Sequence, residues 1–194
     1  MRTLAAACLV AGLVVPGTVS AQWGITAELG VARFGGSSRD TSGTTVGPYR
    51  PTTVELRLDR ALGSARVALA LLYAKTGIAG EQPGLAVVQY DLASLWEVAP
   101  QVSFRLARFG AGVAVRLEAG PAVQLWTVDG DSRTRVAAQT AAALEWPLAG
   151  SLTGSLRVSG VLSGSIFNPD EPPPEVERHA TRRLGVAIGA RYRL

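Results

Sequence analysis

The side chains best suited to catalysis lie together near the carboxyl end of the chain. His179, the only histidine, stands two residues before Thr181 and shortly after Glu175 and Glu177. A histidine that takes a proton from a hydroxyl, with an acid nearby, is the set used by hydrolases and acyltransferases. These residues follow a run of three prolines in an acidic segment, where a rigid geometry is hard to hold. We therefore expect a solvated loop histidine and no catalytic residue.

Metal and phosphate sites have equally little support. Cys8 and His179 are the single cysteine and the single histidine, too few for a zinc site. A segment that resembles the start of a calcium loop, Asp129-Gly130-Asp131-Ser132, lacks the later ligands of such a loop. We therefore predict that it is a turn. A phosphate-binding loop is followed by a helix, and no helical pattern follows Gly110 and Gly112. We expect neither metal nor cofactor.

Composition narrows the class of protein. Of the 194 residues, 47% are hydrophobic and 18% are charged, which excludes an intrinsically disordered chain. Nineteen basic against fifteen acidic residues give a net charge of +4. The positive charges are mostly single arginines among apolar residues, without a basic cluster, so we expect no nucleic-acid partner.

The amino end has the form of a secretory leader. Arg2 precedes an apolar run from Leu4 to Val15, and Val19-Ser20-Ala21 is a small-residue cleavage site. We predict a signal peptide over residues 1–21 and a single mature domain over residues 22–194. Cleavage would remove Cys8, and a cysteine-free mature chain suits an oxidising compartment.

The mature chain alternates between apolar and polar residues with a period of two, which predicts β-strands. The alternation fills eight segments, at residues 23–31, 54–59, 66–73, 88–106, 113–125, 135–148, 152–162 and 183–194. Residues 36–52, 77–84, 129–134 and 168–180 read as long connections, and the three others are short. Long loops on one side and tight turns on the other are typical of an outer-membrane barrel. We predict an all-β fold, an eight-stranded antiparallel up-and-down barrel, with Pro100 at a bulge in the fourth strand.

In each segment, the alternate positions that hold the apolar residues form one face, which we call the apolar parity; the other positions form the polar parity. The apolar parity carries charges only at the strand ends. Arg33, Lys75 and Arg182 lie at the long-loop end, and Arg60 and Arg108 lie at the short-turn end. Because a charge at a bilayer midplane costs about 2–4 kcal/mol and little at the interface, this favours a lipid-facing surface. A soluble periplasmic barrel of the lipocalin kind, which carries apolar ligands in an apolar interior, is the alternative.

The leader, the eight segments and the unequal loops together resemble the small outer-membrane β-barrels of Gram-negative bacteria, the OmpA/OmpX type, over residues 22–194. In that family the assembly machinery recognises the last strand by a terminal aromatic residue with apolar residues at alternate positions before it. Here Ile188, Ala190 and Tyr192 fit the alternate positions, and Leu194 replaces the terminal aromatic residue. The resemblance implies an integral protein of the cell outer membrane. It also implies a structural role, or surface recognition and adhesion through extracellular loops, and it implies contact with lipopolysaccharide and with the barrel-assembly machinery.

A second group of outer-membrane barrels are enzymes that act on lipid A. The spacing His179-x-Thr181 is similar to the His-x-Ser of lipid A deacylases. Thr181, however, has the lumen-facing parity, whereas a deacylase needs its nucleophile at the lipid-facing surface. A lipid-A-modifying hydrolase that uses His179 is therefore the alternative function.

The polar parity becomes the interior of the barrel, and eight strands leave a lumen just wide enough for side chains. It holds seven acids and eight arginines: Glu28, Glu55, Asp59, Asp91, Glu97, Glu118, Glu145, Arg57, Arg66, Arg105, Arg116, Arg157, Arg183, Arg191 and Arg193. We interpret them as a network of paired ions, with a conduction or proton pathway as the alternative. On the outer rim, Arg33, Lys75 and Arg182 either bind lipopolysaccharide phosphates or are solvated interface charges.

Overall fold

The computed structural model describes residues 22–35, 38–39, 45–82, 85–165, 177–178 and 180–194. Within these ranges, residues 38–39, 45–47, 50, 78–82, 85–92 and 177–178 are described by their backbone alone. The predicted leader, residues 1–21, lies outside the described residues. The described ranges contain no helix of the length and apolar character needed to cross a membrane.

Eight long strands and two short ones make up the fold. In chain order they are β1 (Trp23–Gly35), β2 (Ser38–Arg39), β3 (Thr45–Leu62), β4 (Ala65–Gln82), β5 (Leu85–Phe109), β6 (Val113–Val128), β7 (Asp131–Ala149), β8 (Leu152–Ser163), β9 (Glu177–Arg178) and β10 (Thr181–Arg193). Seven of the eight predicted segments each lie within one long strand, and the eighth runs one residue past the end of β10, to Leu194.

The long strands form one closed sheet. Each pairs antiparallel with the long strand that follows it in the chain, and β1 pairs with both β3 and β10, which closes the barrel. Closure gives every long strand two neighbours and leaves no edge along the wall. The predicted eight-stranded antiparallel up-and-down barrel is confirmed.

The strands bury their polar side chains and expose their apolar ones. In β1, exposed and buried residues alternate from Trp23 to Arg33. Outward-facing Val136 is 73% exposed, whereas inward-facing Glu28 and Glu118 are 5% and 6% exposed. A lipocalin-like carrier has the opposite arrangement, so that alternative is wrong: the charged parity faces inward.

All four predicted long connections are partly strand, the last of them through β9. β3 already begins at Thr45, β4 continues to Gln82, and β5 begins at Leu85. Only Asp129 and Gly130 separate β6 from β7, and their φ angles of 50° and 87° suit a two-residue type I′ hairpin turn. The sequence missed these extensions because a strand beyond the barrel wall has no uniformly apolar face, so its alternation fades.

Pro100 does not mark a bulge. Val98 pairs with Val123 and Val102 with Ala119, so one register holds on both sides of the proline. That register sets Pro100 opposite Pro121, and neither residue has an N–H group to donate. The shifts of register in β5 lie elsewhere, between Arg105 and Ala107 against β6 and opposite Thr76–Ile78 of β4.

Candidate functional site

Two arginines and three glutamates meet in the middle of the lumen. Arg57 lies 2.9 Å from Glu55, 3.0 Å from Glu28 and 3.1 Å from Glu118. Arg157 reaches the same three carboxylates, at 2.8 Å to Glu118, 3.0 Å to Glu55 and 3.6 Å to Glu28. We call these five residues the central cluster. They come from β1, β3, β6 and β8, so the ion pairs run across the lumen and tie its walls together.

A second group lies nearer the long-loop end. The Arg183 guanidinium donates to Glu97 at 2.6 Å, and the Gln124 amide donates to the other oxygen of Glu97 at 2.7 Å. The Trp126 indole N–H in turn donates to Gln124 at 3.2 Å. Hydrogen bonds to both oxygens stabilise the charge of a carboxylate that is nearly inaccessible to water.

Two further pairs lie nearer the short turns. Arg191 donates twice to Asp59, at 2.8 and 2.7 Å, in the planar bidentate geometry that arginine favours. Gly24 leaves the room for this arginine, because a Cβ at that position would lie 2.2 Å from the Arg191 guanidinium. Arg66 bonds to both carboxylate oxygens of Glu145 from the facing strand β7.

The remaining luminal residues are arranged differently. Arg116 is buried but donates to the Ser103 hydroxyl and to the Ser64 carbonyl. Arg105 and Arg193 are exposed at the short-turn end and do not join the buried groups. Arg105 pairs in register with buried Arg116 and so keeps the luminal parity, and its exposed side chain lies at the end of the lumen, next to the shift in the β5–β6 register. Asp91 lies on β5, but its side chain is outside the described residues.

Apolar side chains fill the long-loop half of the lumen. Fully buried Leu95 and Trp126 pack with Leu72 and Val128, and Phe34 meets Trp126 edge-on at 5.5 Å between ring centroids. Between this layer and the central cluster, Glu28, Arg157 and Arg183 border a cavity of about 20 Å³, the space of one water molecule. This layer could not be predicted from the sequence. The inward apolar residues of β4, β5 and β6 stand next to outward apolar residues in the chain, so the two sets cannot be told apart by residue type.

The outer face carries its charges near the rims. Arg33 pairs in register with Leu184, and Arg182 pairs with Gly35, so the two arginines are diagonal neighbours on β1 and β10. Lys75 is two strands from β1, level with Thr52 of β3 and Val31. Arg33, Lys75 and Arg182 are all exposed, but the structure separates Lys75 from the arginine pair.

Aromatic rings accompany these rim charges. At the short-turn end the Arg60 guanidinium lies 5.7 Å from the centroid of the Trp23 ring. At the long-loop end the rings of Tyr73 and Trp96 contact each other, with 4.7 Å between their centroids. The outer wall thus has an apolar middle bounded by aromatic and charged side chains, which is the profile of a wall that contacts lipid.

The residues of the alternative hydrolase hypothesis cannot be brought together from the described part of the chain. His179 and Glu175 lie outside them, and of Glu177 only the backbone is described, in β9. Thr181 is buried on the luminal parity at the start of β10, as its position predicted. Within the described ranges, no three His, Cys, Asp or Glu side chains are placed to hold a metal ion.

Comparison with known proteins supports the fold. No protein-family model and no curated protein matches the chain. Among solved structures it is similar to neisserial surface protein A (NspA), at 11% identity and a TM-score of 0.60 over 88% of this chain and 96% of that one. It also matches the N-terminal β-barrel of Pseudomonas aeruginosa OprF, at 14% identity over 88% and 99% of the two chains with a TM-score of 0.45. A third match is Ail, the attachment invasion locus protein of Yersinia pestis, at 14% identity over 90% and 99% with a TM-score of 0.42.

At such low identity the likeness to NspA concerns the fold alone. It agrees with the closed eight-stranded sheet. The predicted resemblance to the small outer-membrane β-barrels is confirmed at that level.

Proposed function

We propose that this protein is a non-enzymatic integral β-barrel of the cell outer membrane that recognises other proteins at the cell surface. The apolar outer wall supports the membrane location, since a soluble protein rarely leaves so large an apolar surface in water. Outward-facing Val31, Ile188 and Leu184 are each at least 60% exposed. The ion pairs that fill the lumen favour a structural interior over a conducting one.

One observation carries the recognition role: on one side of the barrel the sheet continues past the wall. β5 pairs with β6 only from Ala93 onwards, opposite Val128, yet β5 begins at Leu85. Its residues 85–89 pair with residues 78–82 of β4, and β4 pairs in turn with residues 45–49 of β3. The short strands β2 and β9 add to the far side of this extension.

The extension ends in an open strand edge. Among the described residues, none pairs with the β6-facing edge of residues 85–92. Their sequence, Leu-Ala-Val-Val-Gln-Tyr-Asp-Leu, is rich in strand-forming residues and lacks proline and lysine, the residues that commonly protect such edges. An edge of this kind binds an extended peptide by adding it to the sheet as a further strand.

Selection of extended peptides tests this role. The mature barrel in lipid nanodiscs is panned against a phage-displayed peptide library, and selected peptides are mapped by amide chemical shifts. Binders that shift the amides of residues 85–92 support the proposal. Binders that act only elsewhere, or an absence of binders, would count against it.

Two proline substitutions form a matched pair for this test. Successive N–H groups along a strand point to opposite edges, so Val87→Pro and Val88→Pro remove donors on different sides. The variant that keeps the β4–β5 hairpin protected from hydrogen exchange should lose peptide binding. Full binding by that variant would show that the open edge is not used.

Two partner classes follow from the proposed location. The exposed pair Arg33 and Arg182 is suited to phosphate groups of lipopolysaccharide, because arginine forms charge-assisted, often bidentate bonds with phosphate. The last strand, with Ile188 and Tyr192 outward, would be the segment that the barrel-assembly machinery reads. The signal peptide over residues 1–21 would bring the chain across the inner membrane.

A further inference from the structure

A row of polar side chains crosses the outer wall below the open edge of the sheet. Lys75 of β4 is directly opposite Ser94 of β5, which is directly opposite Thr127 of β6. Thr52 of β3 extends the row on one side and Ser132 of β7 on the other. All five have the outward parity, so a hydroxyl or ammonium group stands at this level on five adjacent strands.

A cavity opens into the middle of this row. It measures about 350 Å³ and is lined by Tyr73, Lys75, Ser94, Thr127 and the Asp129–Gly130 turn. It forms because β6 turns back at Asp129 while β5 continues beyond it. Its volume is at the lower end of the range for small-molecule sites, which is about 300–1,000 Å³.

The lining combines three kinds of group. Lys75 supplies an exposed ammonium, which pairs with phosphate as a point charge. Ser94, Thr127 and Tyr73 can donate or accept hydrogen bonds, and the Asp129 carboxylate accepts them. A saccharide presents many hydroxyl groups, so this set of partners suits a phosphorylated sugar.

The outer wall next to the cavity indicates that a sugar bound there is the headgroup of a lipid. Tyr73 and Trp96 contact each other one outward row closer to the barrel middle, followed by the apolar outer face. Aromatic rings at this level mark the boundary between headgroups and hydrocarbon. A ligand seated at Lys75 would therefore continue downwards as acyl chains.

We propose that the cavity bordered by Lys75, Ser94, Thr127 and Asp129 binds the phosphorylated saccharide headgroup of a membrane lipid. This rests on the proposed outer-membrane location. It is a different site from Arg33 and Arg182, which lie on β1 and β10 with β3 between them and Lys75. The Lys75 ammonium holds the phosphate, and the hydroxyls and Asp129 hold the sugar.

The test measures lipid binding to the folded mature chain in micelles by native mass spectrometry. The probes are monophosphorylated lipid A, the same lipid without phosphate, and glucosamine 1-phosphate as the headgroup without chains. We expect the phosphorylated lipid to bind about tenfold or more tightly than either of the others, since both the charge and the chains contribute. Equal binding of phosphorylated and dephosphorylated lipid, or of the free phosphosugar, would overturn the proposal.

Substitutions locate the site. Lys75→Gln and the pair Ser94→Val/Thr127→Val should each weaken binding of the phosphorylated lipid several-fold, and Lys75→Gln should leave the dephosphorylated lipid unaffected. Arg108→Gln is the matched control, because it removes an exposed arginine at the opposite, short-turn end of the barrel, and it should change this binding little. A loss in Arg108→Gln but not in Lys75→Gln would refute the site.

Heat-dependent gel mobility confirms that each variant is folded before binding is compared. Failure of the outer-membrane proposal would show separately, as a chain absent from the outer-membrane fraction. A barrel that inserts normally but does not prefer the phosphorylated lipid overturns this inference alone.

Discussion

Replacing Arg157 by alanine should destabilise the barrel strongly. Its side chain is 5% exposed and pairs with Glu118, Glu55 and Glu28, whose side chains are 2–6% exposed. After the substitution these three carboxylates face each other with only Arg57 between them. Breaking one buried pair costs about 3–5 kcal/mol, because the remaining charge stays buried without its partner.

We expect a loss of about 3–5 kcal/mol in the free energy of unfolding, and not three times that value, because the three pairs share one network and are not additive. Urea unfolding in detergent micelles, followed by tryptophan fluorescence and by heat-dependent gel mobility, measures it. Arg105→Ala removes an exposed arginine outside the network and should stay within about 0.5 kcal/mol of the wild type.

A double-mutant cycle separates the ion pairs from simple loss of packing. Arg157→Met keeps most of the side-chain volume, and Glu118→Gln removes the carboxylate that Arg157 approaches most closely, at 2.8 Å. The coupling energy between these substitutions should reach about 0.5–3 kcal/mol. A change within 0.5 kcal/mol in Arg157→Ala, or no coupling in the cycle, would refute the view that the central cluster braces the lumen.

Further predictions concern the lumen, the rim, the leader and the chemistry. Planar-bilayer recordings should show no steady conductance of porin size, because ion pairs and apolar side chains fill the lumen, and a wide constant pore would contradict this. Arg33→Ala/Arg182→Ala should lower thermal stability in lipopolysaccharide but not in neutral detergent, whereas equal shifts in both media would remove that lipid contact. The intact mass of the membrane-derived protein should place its first residue at Gln22, and a retained leader or an acylated Cys8 would contradict the predicted cleavage. Expression should leave the lipid A mass spectrum unchanged, and a deacylated species that is lost in His179→Ala would support the hydrolase instead.

The alternation of the sequence was sufficient to predict the barrel. A period of two decides which residues share a face, and the restriction of charges to the strand ends identified the outward face. Thr181 and Arg191 are buried on the predicted parity. The same logic failed beyond Arg105, where the shifted register pairs Arg108 with inward-facing Ala114, because a shift of register reverses the facing of the residues after it and no residue type indicates where it occurs.

The partners inside the lumen could not be predicted in the same way. Glu28, Glu118 and Arg157 belong to three strands that are far apart in the chain, and their meeting depends on the stagger between strands. The sequence indicates that acids and arginines share the interior, but not which of them pair. The apolar layer around Trp126 was missed for a different reason, since an inward tryptophan beside outward Leu125 looks like a continuous apolar run.

The central claim is that the apolar parity of the strands contacts lipid and the polar parity lines a closed lumen. Since Cys8 is the only cysteine and lies in the predicted leader, single cysteines can be introduced along β10 and spin-labelled in the barrel reconstituted in lipid bilayers. Labels at Leu184, Val186 and Ile188 should be accessible to lipid-soluble oxygen and shielded from a water-soluble nickel chelate. The intervening Ala187 should be shielded from both. Chelate accessibility at the outward positions, or the absence of a two-residue period, would contradict the membrane barrel.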